Sequence, residues 1–257
     1  MKLKSLFLLL CASTNVMAQY YAPSYSSLQQ YKCPDWIKEA KFGIYCHWNA
    51  QSASKSENNG WYAREMYIEG SAAYNDHLRN WGHPSEVGYK DVVEAWNADK
   101  FDAKEWVSLF KEAGAKFVLT MAVHHDNFDM WDSKYQPKWN STHYGPKVDV
   151  CKMIRDETLK AGMRWGVTTH LERSYSWFQT NKGADKTGVK AGIPYDGNML
   201  EYQDLYHEYP NFADLGPDFC QLRSPMVSPQ SWKEMWKNRS IDLISRYHPD
   251  FFYIDGA

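Results

Sequence analysis

Lys116-Phe117-Val118-Leu119-Thr120-Met121-Ala122-Val123, running straight into His124-His125-Asp126, decides the fold. The run is rich in β-branched and large apolar residues and reads as a strand with polar groups gathered at its end. Ahead of it stands an amphipathic helix. Asp102 and Glu105 form a capping box, Trp106, Leu109, Phe110 and Ala113 make an apolar stripe, and Gly114 ends the helix. The unit recurs twice. Asp149 caps a helix that runs to about Ala161, Gly162 breaks it, and Arg164 to Thr169 is the next strand. Ser228-Pro229 reads as an N-cap followed by a proline at the first helical position. Trp232, Met235, Trp236 and Leu243 then keep helical spacing to Tyr247, and His248-Pro249 precedes the strand Phe251 to Ile254. An earlier strand, Lys41 to Cys46, comes before the first unit.

Strands alternating with helices imply an α/β fold with a parallel sheet and right-handed crossovers. The strands end in His47-Trp48, in His124-His125-Asp126, near His170-Leu171-Glu172 and in Asp255. Polar residues collected at the carboxyl ends of parallel strands mark the active face of a (β/α)8 TIM-like barrel, of which this chain carries about the first four β/α units. A doubly wound open sheet is the competitor, but no glycine-rich phosphate loop follows any strand. Two long connections, roughly residues 49–100 and 172–227, lie over that face and are dense in Trp, Tyr and His. Within the second, the glycine-rich stretch Asn181 to Gly197 reads as mobile.

The N-terminus reads as a signal peptide over residues 1–18. Lys2 and Lys4 form its basic end, Leu6 to Ala12 its short apolar core, and Val16-Met17-Ala18 its cleavage site. Export to the periplasm or the exterior follows. Residues 19–257 are then one N-terminal part of a catalytic barrel. The apolar run is too short for a permanent span, and no membrane insertion is expected. Cys11 raises lipidation, but the bulky Leu10 before it argues against that reading. Lys and Arg number 29 against 31 Asp and Glu, with no basic run, which excludes electrostatic nucleic-acid binding. Cys33, Cys46, Cys151 and Cys220 are scattered and form neither a disulfide framework nor a zinc signature. The chain holds 12 Trp, 18 Tyr and 11 Phe, and flat rings with polar edges suit sugars as well as cores.

Two chemistries fit the strand-end histidines. His47, His124, His125 and Asp126 together make a metal-dependent hydrolase or oxygenase possible, since two imidazoles and a carboxylate suit iron or zinc. Neutral imidazoles equally suit hydroxyl recognition, because each donates and accepts a hydrogen bond. Trp61-Tyr62 sits in the first long connection. Asp255, delivered by Phe251-Phe252-Tyr253-Ile254, is a carboxylate fixed by its strand and able to attack an anomeric carbon.

Taken in order, several stretches resemble glycoside hydrolase family 29, the retaining α-L-fucosidases. They are Lys41-Phe42-Gly43-Ile44-Tyr45-Cys46-His47-Trp48, Trp61-Tyr62, Phe101 to Trp106, Ala113 to Phe117, His124 to Phe128, Trp131-Asp132-Ser133 and Tyr253-Ile254-Asp255-Gly256. The resemblance implies that Asp255 is the nucleophile and that His47, His124 and His125 hold the fucose hydroxyls. It also implies that Trp61 lines the pocket and that Tyr253, where the family usually has Trp, flanks the sugar. No cofactor and no metal are implied, and the partner is a fucosylated oligosaccharide or glycoconjugate. Three departures stand out. Gly60 replaces a Glu, Asn127 replaces a Gly, and His170 takes the place of a sugar-contacting Tyr. These changes leave L-galactose, which differs only by a hydroxyl on C6, beside L-fucose as the sugar. The family's acid/base lies beyond its nucleophile, whereas this sequence reaches only Ala257. Little hydrolysis by this polypeptide alone is therefore expected. Of the internal carboxylates Glu65, Glu172 and Glu201, Glu172 is the one weighed as a substitute acid, since a retaining pair needs about 5–5.5 Å between carboxyl groups. A non-catalytic sugar-binding protein is the remaining alternative.

Overall fold

The computed structural model describes residues 21–57, 60–208 and 228–255. The signal segment and Cys220 lie outside the described residues. The chain divides into a small unit ending at Lys41 and a large one beginning at Phe42. The small unit carries two short helices, Tyr25–Leu28 and Asp35–Ala40.

The large unit is built on β1 (Gly43–Cys46), β2 (Phe117–Val123), β3 (Arg164–Thr169) and β4 (Phe251–Ile254). They pair in sequence order and all run parallel. Three crossover helices precede the later strands: α1 (Ala103–Glu112), α2 (Val150–Lys160) and α3 (Gln230–Tyr247). The first two start where a carboxylate meets an orphan backbone donor. Asp102 accepts from the Glu105 N–H at 3.0 Å, and Asp149 accepts from the Lys152 N–H at 2.8 Å. Gly114 and Gly162, both at positive φ, then turn the chain into the next strand. Two boundaries differ from the sequence reading. Pro229, not Ser228, is the N-cap of α3, because its backbone is extended and the helix begins at Gln230. Strand β1 begins at Gly43 because Lys41, at φ 59°, cannot continue an extended chain.

One face of the sheet packs on the helices. Val118, Trp165 and Val167 join Val107, Val150, Cys151, Ile154, Leu243 and Tyr247 in a single buried core. On the other face large and small residues interlock. A Cβ on Gly43 would lie 2.3 Å from the Phe117 ring, and one on Gly166 would lie 2.5 Å from Leu119 Cδ2 and 2.7 Å from the Phe251 carbonyl. Side chains therefore close over the two glycines. This face is also curled. Neighbouring strands are ~4.8 Å apart, so a flat sheet would hold β1 and β4 about 14 Å apart. Yet the Tyr45 hydroxyl of β1 reaches Thr168 Oγ1 at 2.7 Å and Asp255, just past β4, at 3.3 Å.

The two long connections are not bare loops. The first holds helices Tyr62–Glu65, Ala72–Asn80 and Tyr89–Glu94, and the second holds Ser174–Phe178 and Gln203–Tyr206. They clasp each other through buried polar groups. Tyr67 donates to Asp196 at 2.7 Å, Thr180 donates to the Arg64 carbonyl at 2.9 Å, and the Asp196 N–H donates to the Pro84 carbonyl at 3.0 Å. The stretch read as mobile is pinned at Asp185, which accepts from Tyr195 at 2.5 Å and meets His83 Nε2 at 2.9 Å. Among the described residues no helix is long and apolar enough to cross a membrane. Cys33, Cys46 and Cys151 are free thiols.

Candidate active site

Each strand delivers one part of the site from its carboxyl end. His47 follows β1, His124 and His125 follow β2, His170 follows β3 and Asp255 follows β4. The rings of His47, His124 and His170 form a triangle with centroid separations of 5.1, 5.0 and 4.6 Å. His125 lies 4.7 Å from His124 and 5.1 Å from His170. Asp255 Oδ2 is 3.5 Å from His170 Nε2, and the Asp255 N–H donates to the Thr169 carbonyl at 2.9 Å, which continues the sheet ladder to the carboxylate. The fold therefore gathers four imidazoles and one carboxylate from four strands.

The hydrogen-bond partners select the tautomers. The Ala63 N–H donates to Gln51 Oε1 at 3.0 Å, so the Gln51 amide nitrogen faces His124 Nδ1, 3.2 Å away, and donates to it. His124 then carries its proton on Nε2. His125 Nδ1 donates to the His170 carbonyl at 2.6 Å, leaving Nε2 as an acceptor. One ring offers a donor and its neighbour an acceptor.

Burial keeps these rings neutral. It pushes His125 down to about 3 and His170 down to about 4, and holds His124 well below the ordinary imidazole value. The charge of Asp255 works against burial at His170 without overcoming it. His47 opens to solvent yet is lowered too, because its ring is crowded by the groups around it. The His170–Asp255 contact is consequently a neutral-ring contact rather than an ion pair at pH 7.

Trp61 and Tyr253 reach this cluster differently. Trp61, 39% exposed, meets the Trp177 ring edge-on at 6.0 Å, and Trp177 lies 5.7 Å from His124 and 5.1 Å from His125. Tyr253, 45% exposed, stacks on Phe251 and is near enough to Tyr45 to act on its hydroxyl electrostatically. Asp126 departs from the metal reading. It turns away to accept from Asn49 at 2.8 Å and from Tyr89 at 2.5 Å, and burial raises its carboxyl to about 6. Among the described residues the set able to hold an ion is His47, His124 and His170, with ligand atoms within 4.8 Å of one another.

Glu172 is shut in two residues past His170. Neither of its oxygens has a hydrogen-bond partner, Arg173 Nε stands 3.6 Å away, and burial pushes the carboxyl up to about 7, with Asp255 adding to the rise. Glu201 is exposed, and Glu65 ends the helix Tyr62–Glu65.

Sequence reasoning missed Tyr45, Thr168, Gln51 and Trp177. Tyr45 had a usable signal, since it sits two residues before His47 on a strand and so shares its face. Thr168 pairs with Tyr253 across β3 and β4, but that register is a tertiary fact. Nothing local marked Gln51 or singled out Trp177 among so many aromatics.

A sequence profile of the alpha-L-fucosidase family matches residues 8–257. The alpha-L-fucosidase of Dictyostelium discoideum is 27% identical over 252 residues, covering 94% of this chain and 54% of that protein. Rat tissue alpha-L-fucosidase is 29% identical over 254 residues, covering 98% of this chain and 46% of its own length. Among solved structures, the Thermotoga maritima alpha-fucosidase in complex with a mechanism-based inhibitor superposes with a TM-score of 0.68 at 25% identity, covering 92% of this chain and 50% of that one. The same enzyme in complex with fucose gives 0.66 at 26% identity, covering 93% and 50%. This chain spans about half the length of these relatives.

Proposed function

Because this chain belongs to the alpha-L-fucosidase family, we propose that it carries the sugar-binding and nucleophilic part of an exo-acting, retaining α-L-fucosidase. The four strands are the first half of a (β/α)8 barrel in this reading, and residues 1–18 direct export. The substrate is a terminal L-fucose, or L-galactose, on an oligosaccharide or glycoconjugate.

Asp255 attacks the anomeric carbon while the bond to the leaving oxygen breaks, and that oxygen takes a proton from a general acid. A glycosyl ester on Asp255 results. Water then attacks the same carbon, gives its proton back to the acid/base group and frees the carboxylate, so two inversions retain configuration. Tyr45 holds Asp255 Oδ2, which turns the other oxygen toward the sugar. His124 Nε2–H donates to a sugar hydroxyl and His125 Nε2 accepts from one. His47 and His170 complete the ring of contacts, with Trp61 and Tyr253 flanking the sugar. Both oxygens of Glu172 are closed off from solvent, so Glu172 is not assigned the acid's role.

The observation that supports this reading best is the convergence of four neutral imidazoles on one strand-end carboxylate. L-fucose titrated into the protein, with the histidine side chains followed by NMR, tests it. Saturable shifts at His47, His124, His125 and His170 are expected, and a titration that leaves all four unmoved removes the sugar site.

A further inference from the structure

Gln51 takes no part in the reaction described above, yet it is built into the site from several sides. It lies in the short 3-10 helix Ala50–Ser54, in the connection after β1, and is buried. Its backbone is fixed by the residue that caps this helix. Asn49 Oδ1 accepts from the Gln51 N–H at 3.0 Å, and Asn49 Nδ2 donates to Asp126 at 2.8 Å. Asp126 is held in turn by the Tyr89 hydroxyl at 2.5 Å. The carboxylate that turns away from the imidazoles therefore acts on them indirectly. From two residues past His124 it seats the segment that carries Gln51.

The Gln51 amide is committed at both ends. Ala63 lies in the first turn of Tyr62–Glu65, a helix whose N-cap is Trp61. Its backbone N–H has no carbonyl within the helix to meet and can only donate, so it takes Gln51 Oε1 at 3.0 Å. A turned-over amide would set two buried donors against each other. Nε2 therefore points to His124 Nδ1, 3.2 Å away. Which imidazole nitrogen keeps the proton is set by the hydrogen bond that the other one makes. A proton on His124 Nδ1 would face a donor, and an unmet buried donor disfavours that form by about tenfold or more. His124 thus keeps its proton on Nε2, in a ring packed against those of His47 and His170 at 5.1 and 4.6 Å.

We propose that Gln51 is a positioning residue: it fixes the His124 imidazole as a hydrogen-bond donor to the sugar and ties that ring to the helix capped by Trp61. The identity of the sugar rests on the fucosidase reading, whereas the state of the ring does not. Nitrogen-15 NMR of the histidines tells a bare ring nitrogen from a protonated one, and calorimetry with L-fucose at pH 8 follows binding. In the parent, His124 Nδ1 is expected bare and Nε2 protonated. Gln51→Glu keeps the side chain's length and its acceptor for Ala63 but replaces the donor by an acceptor, so His124 Nδ1 should gain a proton. L-fucose affinity should follow the Nε2 proton, about tenfold weaker where the ring is protonated on Nδ1 alone and kept where it holds both protons. Gln51→Met offers neither bond, so the Nδ1–H form should appear beside the other and L-fucose should bind about threefold more weakly. A parent with Nδ1 protonated overturns the proposal, and so does Gln51→Glu with Nδ1 still bare. Should that variant fail to fold, a Gln51→Met protein whose ring stays wholly Nε2–H overturns it. Affinity that stays level in a variant whose His124 has lost the Nε2 proton overturns it as well. L-fucose that moves no histidine in the parent, with the ring states as expected, would bring down the fucosidase reading and the positioning role with it, while the hold of Gln51 on the ring remained.

Discussion

Tyr45 and Asp255 belong to the two outermost strands of the sheet, yet the Tyr45 hydroxyl donates to Asp255 Oδ2 at 3.3 Å. The same oxygen lies 2.7 Å from Thr168 Oγ1 and 3.0 Å from His170 Nε2. A phenol donates once and accepts twice, so donation to Asp255 leaves it to accept from Thr168 and His170. Burial and the Asp255 charge both raise the phenol's pKa, which keeps the proton on Tyr45. One hydroxyl thus joins β1, β3 and the carboxylate after β4.

Removing that hydroxyl should slow chemistry at Asp255 more than it weakens sugar binding. A hydrogen bond to a charged group is worth about 1.5–3 kcal/mol, so Tyr45→Phe should lower the rate of covalent labelling of Asp255 by about 10- to 100-fold. Labelling kinetics beside L-fucose calorimetry check this. Equal rates in both proteins would remove Tyr45 from the positioning of the Asp255 carboxylate.

The buried imidazoles should stay neutral far into acid. With His125 near 3 and His170 near 4, their ring signals should not titrate between pH 8 and 5, and L-fucose affinity should be flat across that range. The folded values lie below the ordinary 6.5, so the unfolded chain takes up protons first. Their share of stability is complete above 6.5 and is lost as pH falls toward 3–4. Imidazole NMR titration is the measurement, and a midpoint near 6.5 for His125 contradicts the burial described.

Glu172 should act in the opposite direction. Its folded value of about 7 lies above the ordinary 4.5, so the folded protein holds this proton while the unfolded chain has lost it. Stability is therefore lost as pH rises from 4.5 through 7. Glu172→Gln removes that loss and should stabilise the protein by on the order of 1–2 kcal/mol at pH 8, with little gain at pH 5. Denaturant unfolding at the two pH values decides it. An equal effect at both would show that the carboxyl is not held protonated.

Gly166→Ala tests the interlocked face of the sheet. Its Cβ would meet Leu119 and the backbone of β4, and overpacking of this kind costs about 1–3 kcal/mol. A variant as stable as the parent by thermal unfolding would mean that this face is looser than described.

The strands and crossover helices were legible because their signals are local. Asp102 and Asp149 cap where expected, and Gly114 and Gly162 end the helices they follow. The convergence of His47, the 124/125 pair, His170 and Asp255 was legible from their shared place at strand ends. What escaped depends on partners far away in sequence. Tyr45 is defined by Thr168 and Asp255, and Asp126 was offered to a metal because nothing local showed Asn49 and Tyr89 claiming it. The stretch Asn181 to Gly197 looked mobile by composition, but buried carboxylates such as Asp185 and Asp196 hold it down.

Covalent trapping is the sharpest test of the proposed bond between Asp255 and the anomeric carbon. A 2-deoxy-2-fluoro-L-fucosyl fluoride suits the purpose because fluoride leaves without protonation, so the result does not depend on where the acid resides. One fluorofucosyl group is expected on the peptide that contains Asp255, seen by mass spectrometry and absent in Asp255→Gly. Attachment at any other residue, or no attachment in protein whose histidines respond to L-fucose, would contradict it.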